Sequence, residues 1–157
     1  MAQDERWGTR DRAYSAWHRR GSTGRYIGIE QAQLLAMIDL DVILYVEYDD
    51  ETKEPIALIE AAQDIGQPYK CATVTQKLAE RAGLPAYVVL YRVGNSSNPA
   101  EMDCRDIVGF RIKRLCPNAE YEWREMTPKE YAEGLLKMRS WKTKQIDSEL
   151  FGDGQPF

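Results

Sequence analysis

A small set of acidic residues carries the chemistry this sequence suggests. Asp39 and Asp41 stand at the head of an apolar run, DVILYVEY over 41–48. Glu60 stands inside a second such run, IALIEAA over 56–62. A carboxylate within an apolar strand is costly unless something pairs with it. Side chains alternate along a strand, so Leu58, Glu60 and Ala62 share one face. Carboxylates converging from two neighbouring strands offer oxygen ligands to Mg²⁺ or Mn²⁺. A metal held in that way activates water and stabilises charge on a phosphoryl group. Each residue also has a plainer reading. Glu60 pairs structurally with Arg92 or Lys70, and Asp39 and Asp41 cap the turn into the strand. Glu30, on a preceding helix, complements the helix dipole.

Other chemistries find little support. His18 is the only histidine, which removes two-histidine metal motifs and leaves any Ser-His or Cys-His device resting on one residue. Cys71, Cys104 and Cys116 are widely spaced and include no CxxC pair, which argues against a disulfide framework and a zinc site and for free thiols in a reducing cytoplasm. No GxSxG, GxxxxGK[ST] or GxGxxG occurs, so nucleophile-elbow, P-loop and Rossmann readings fall away.

The elements that must position the acids can be read from hydrophobic periodicity and turn residues. A helix is expected over 4–20, with Trp7, Tyr14 and Trp17 near one face. A break follows at 21–24 (Gly-Ser-Thr-Gly), then a second helix over 28–37. Strands 41–48 and 56–62, joined by the turn segment DDETKEP, should form a hairpin, the first of them buried. A helix over 72–82 ends with Gly83 as its C-cap and Pro85 as a stop. AYVVLYRV over 86–93 is a strand, NSSNPAEMD a loop, and 106–114 an alternating strand at an exposed or edge position. YEWREM contains a short strand. Thr127-Pro128-Lys129-Glu130 is a capping box with Pro at the first helical position, starting a helix to about Trp141. This organisation gives one domain over 1–141, with 142–157 a polar, mobile tail. The order of elements reads as α/β or α+β with a mixed sheet.

The chain of 157 residues has a formal net charge of −4, with 43% hydrophobic and 29% charged residues. These proportions suit a folded domain and exclude disordered and collagen-like classes. No apolar run is long enough for a membrane helix, and the charged N-terminus lacks the apolar stretch of a secretory signal. The net charge hides an asymmetry. Residues 26–66 carry ten acids against Lys53 alone, while 1–25 carry six arginines against three acids and 67–115 eight basic residues against four acids. An acidic centre can hold a divalent cation while basic flanks, Arg19, Arg20 and Arg25 among them, grip phosphates. The same arginines can equally form salt bridges with the acidic centre, and charges of this kind also simply solvate a surface.

The ordering of Asp41, hairpin, Glu60, helix and the strand LPAYVVLY resembles the PD-(D/E)xK nuclease superfamily, and within it small proteins of phages and prophages. The likeness covers about residues 28–93. It implies an α/β fold, a restriction-endonuclease-like mixed sheet flanked by helices, and Mg²⁺- or Mn²⁺-dependent hydrolysis of DNA phosphodiesters. Asp41 and Glu60 match the metal-binding acids, with Asp39 as an alternative first acid and Glu30 as the extra acid of some members. The family pattern has lysine two residues after the glutamate, and this sequence has Ala62 there. Lys70 or Lys77, from the following loop or helix, could fill that space. Otherwise the resemblance implies a catalytically degenerate fold kept to bind nucleic acid or a protein partner, as a phage accessory, assembly or structural factor.

Overall fold

A computed structural model describes residues 13, 17, 20–36 and 40–151. The chain divides after Asp39 into two compact units. In the first, helix α1 spans Arg20–Ile27 and a single-turn helix α2 spans Ile29–Ala32. The break expected at 21–24 falls instead at Gly28, whose φ of 82° lies in the left-handed region open to glycine. Gly24 stays helical and serves close packing. A Cβ there would stand 3.4 Å from the Ile29 side chain and 3.8 Å from that of Ala32. Most of the helix expected over 4–20, with Trp7, Tyr14, His18 and Arg19, lies outside the described residues. Ala13, Trp17 and Arg20 from that stretch are helical. Trp17 sets its ring 6.2 Å from that of Tyr26.

The second unit is an α/β domain with one five-stranded mixed sheet. Its elements are β1 (Val42–Glu47), β2 (Lys53–Gln63), α3 (Thr73–Ala82), β3 (Ala86–Asn98), β4 (Glu101–Cys116), β5 (Arg124–Met126) and α4 (Pro128–Phe151). The strands lie in chain order. β1 and β2 form the expected antiparallel hairpin, and β2 and β3 run parallel with α3 as the crossover. A parallel pair requires such a crossover, and a helix between two apolar strands supplies it. β4 returns antiparallel to β3, and β5 to β4.

Both faces of the sheet are covered, which explains the near-continuous apolar run of β2. On one face Leu58 and Ala86 pack with Ala79 of α3 and Leu84. On the other, Ile59, Val89 and Ile112 pack beneath Tyr131 and Leu135 of α4. Burying each of the larger side chains contributes about 1.5–3 kcal/mol. Gly83, at φ 68°, closes α3 as expected. Lys142, itself buried, donates to the Gly83 carbonyl at 3.1 Å. An ammonium at a helix C-terminus meets the negative end of the dipole.

In the second unit four expectations change. β1 is an edge strand rather than a buried one, with Val42, Ile43 and Tyr45 substantially exposed. The alternating segment 106–114 belongs to an inner strand, because the short β5 pairs outside it. Most of the expected loop NSSNPAEMD is strand, an extension of the β3–β4 hairpin that turns at Pro99–Ala100. The last helix runs to Phe151 in place of a mobile segment after Trp141, since Lys142 and Ile146, one helical turn apart, are both buried. No helix of the described residues is long and apolar enough to cross a membrane.

Candidate functional site

Glu60 is 4% exposed, near the end of the buried stretch of β2. Each oxygen of its carboxylate accepts one hydrogen bond. Lys70 Nζ donates to Oε1 at 3.1 Å, and Thr75 Oγ1 donates to Oε2 at 3.1 Å. Thr75 lies in the first turns of α3 on its sheet-facing side, one turn before Ala79. Lys70 comes from the loop between β2 and α3, and its side chain is 23% exposed. The buried acid therefore has a cation and a hydroxyl, which answers the cost of placing it in an apolar strand. Of its two anticipated cationic partners, Lys70 is the one used. Arg92 lies instead against Gly109, where an added Cβ would collide with its guanidinium.

Asp41 immediately precedes β1. The hairpin register pairs Val42 with Ile59 and Ile43 with Leu58, so one further step sets Asp41 opposite Glu60. Asp41 Oδ2 accepts the Ala61 N–H at 2.9 Å. That hydrogen bond satisfies a strand amide that β1, beginning at Val42, does not reach. The hairpin thus brings Asp41, Glu60 and, through the loop, Lys70 to one end of β2.

The other candidate residues are placed differently. Lys77 is exposed on α3. It sits two residues beyond the sheet-facing Thr75, about 200° around the helix and thus turned from the sheet. Glu30 belongs to the first unit, where it is exposed in α2. Asp39 lies outside the described residues.

The loop that presents Lys70 is fastened at several points. Asp64 accepts two hydrogen bonds from Arg111 of β4, at 2.8 and 2.7 Å. Those bonds, with the Gly66 N–H, hold the Asp64 carboxyl at about 2. Arg111 also donates to the Gln67 carbonyl at 2.9 Å. Trp123 donates from its indole nitrogen to the Pro68 carbonyl at 3.0 Å. The Arg111 guanidinium and the Lys113 ammonium both lie over the Trp123 ring, at 5.1 and 4.7 Å from its centroid. Cation–π contacts of this kind add to the hold. Next to Lys70, hydrogen bonds from Thr73 and Tyr69 lower the pKa of the exposed Cys71 thiol.

Thr75, Asp64, Arg111 and Trp123 escape the sequence reading. Thr75 carried one available signal, a hydroxyl on the buried stripe of a helix following a strand glutamate. Arg111 and Trp123 carried none, because their partners lie 44 to 55 residues away.

At this end of β2 the donors available to a hydrated divalent cation are the carboxylates of Asp41 and Glu60. Among the described residues, no three His, Cys, Asp or Glu side chains gather around a common point. Mg²⁺ nevertheless keeps several waters and is commonly held by one or two carboxylates. A carboxylate has about four lone-pair positions, so Glu60 retains acceptor capacity beside Lys70 and Thr75, and Asp41 beside Ala61. Asp41 and Glu60 thus present carboxylate oxygens from directly opposed positions of the hairpin. No family model, curated protein or solved structure matches this chain.

Proposed function

We propose that the protein is a Mg²⁺- or Mn²⁺-dependent nuclease of the PD-(D/E)xK kind acting on DNA, in which the catalytic lysine has moved from the strand to the following loop. The observation that carries this reading is the 3.1 Å contact between Lys70 Nζ and Glu60 Oε1. It supplies the cation that the resemblance implies and that Ala62 cannot.

Asp41 and Glu60 would hold the metal, which when bound supplies an activated water and charge stabilisation. The remaining work falls to side chains of this chain. Thr75 and Lys70 fix the Glu60 carboxylate. The partly exposed Lys70 ammonium offers its free N–H bonds to a phosphoryl oxygen, where negative charge develops during hydrolysis. Arg111 and Trp123 position Lys70 by holding its loop. The reading places the protein with DNA in the cytoplasm, and its likeness to phage proteins makes a phage or prophage origin part of the proposal.

A second reading has its own support. Glu60 is almost completely buried and both its oxygens are already engaged. That arrangement suits a retired site whose ion pair now ties β2 to the following loop, whose Thr75 hydrogen bond ties it to α3, and whose fold binds nucleic acid or a protein. The two readings separate in a hydrolysis assay on single- and double-stranded DNA with millimolar Mg²⁺ or Mn²⁺. The nuclease reading expects metal-dependent cleavage that is lost in Glu60→Gln, a variant of the same shape that lacks the charge and keeps one accepting oxygen in place of two. Absence of cleavage by wild type would leave the retired-site reading.

A further inference from the structure

On the face of the sheet opposite Glu60, α4 does not close fully onto the strands. A cavity of about 300 Å³ lies between them, at the lower end of the range for small-molecule sites. Its apolar walls include Tyr87, Ile112 and Met126 from the sheet and Leu135 and Met138 from the helix. Tyr131, also on the helix, is held in place by stacking on Phe110, with ring centroids 4.1 Å apart.

The helix leaves this space at Gly134. Glycine is unfavourable inside a helix, yet Gly134 lies well within a 24-residue one and lines the cavity. A Cβ added there would meet nothing within 4 Å. The cavity is therefore open where an ordinary helical side chain would project. Trp141, 49% exposed, forms part of the same wall.

The polar lining is of one sign. Arg114, Arg124 and Lys137 contribute to it, and no aspartate or glutamate does. Arg124 is engaged by Glu120 at 2.7 and 2.9 Å. Glu120 also accepts the Arg114 backbone N–H and interacts electrostatically with its guanidinium, which forms no ion pair within 4.0 Å among the described residues. Lys137 has no ion pair among them. Three cations against one carboxylate leave an excess of positive charge beside an apolar chamber.

We propose that this cavity binds a small organic carboxylate, its acyl or aryl body between α4 and the sheet and its head group against Arg114 and Lys137. An apolar wall with a few convergent polar groups is the general form of a small-molecule site, and a lining with three cationic side chains and no acidic one favours an anionic ligand over a cationic one. The site shares no residue with Asp41, Glu60 or Lys70, so it stands or falls independently of the nuclease reading.

The test uses decanoate as the probe and decanol as its uncharged counterpart, with tryptophan fluorescence and calorimetry on the full chain. Decanoate is expected to bind and alter the Trp141 emission, and decanol to bind at least tenfold more weakly. Gly134→Leu fills the chamber with a better helix former, so it should abolish binding while raising the melting temperature. The double variant Arg114→Gln/Lys137→Gln should weaken decanoate at least tenfold and leave decanol unchanged. The proposal is overturned if decanoate gives no signal, if decanol binds equally well, or if either folded variant retains wild-type affinity for decanoate.

Discussion

Lys70 and Glu60 are ten residues apart in sequence, and the loop between them folds back so that their charged atoms meet at 3.1 Å. The lysine reaches the acid from the entrance to α3, and the strand position beside Glu60, Ala62, bears only a methyl group. The loop fastened by Arg111 and Trp123 makes that return specific.

Removing the Lys70 ammonium should destabilise the fold, because Glu60 then keeps its buried charge with Thr75 as its remaining side-chain partner. Lys70→Ala is expected to cost about 1–3 kcal/mol, the usual penalty when a buried polar group loses its partner. Lys77→Ala, at an exposed helix position, should change stability by less than about 0.5 kcal/mol. Urea denaturation of the two variants beside wild type measures both. Equal effects would mean that Lys70 does not hold Glu60 in solution.

Asp64 links stability to acid pH. Its carboxyl is held at about 2 in the folded chain against an ordinary value of 3.8, with Arg111 the leading cause. A depressed carboxylate contributes stability that is complete above the unfolded value and lost as pH falls through the folded one. The Asp64 contribution should therefore fade between about pH 4 and pH 2. In Asp64→Asn that part of the acid dependence should vanish, so that the stability gap between the two proteins narrows as pH falls. Thermal unfolding across this range checks it.

Much of the frame was legible because its signals are local. The hairpin, the crossover and the 86–93 strand follow from short apolar runs bounded by turn residues, Gly83 and Pro85. The Thr127–Glu130 box could be read directly, and both of its reciprocal hydrogen bonds are present, at 2.9 and 3.1 Å. The edge position of β1 was not legible, since its run is as apolar as that of a central strand and pairing partners leave no local mark. Asp41 and Glu60 could be chosen as acids out of place among hydrophobics. The choice between Lys70 and Lys77 could not be made, because it depends on Asp64 meeting Arg111, 47 residues away. The helix beyond Trp141 was hidden by polar residues surrounding the two that are buried, Lys142 and Ile146.

The capping box gives a prediction for α4. Thr127→Ala removes the hydroxyl that accepts the Glu130 N–H and should cost about 1 kcal/mol. Thr127→Ser should restore most of it. Guanidinium titration followed by far-ultraviolet circular dichroism reads both. An unchanged Thr127→Ala would show that the box is not formed in solution.

The migration of the lysine is tested most directly by moving it back. Metal-dependent DNA hydrolysis should be compared in wild type, Lys70→Ala and the double variant Lys70→Ala/Ala62→Lys. Ala62 shares a strand face with Glu60 and is only partly buried, so a lysine there can extend its ammonium toward the acid. Wild type should cleave with Mg²⁺ or Mn²⁺, Lys70→Ala should lose about 10²–10³ in rate, and the double variant should recover a measurable part of that loss. A wild-type protein without metal-dependent cleavage, or a Lys70→Ala variant as active as wild type, would contradict the account.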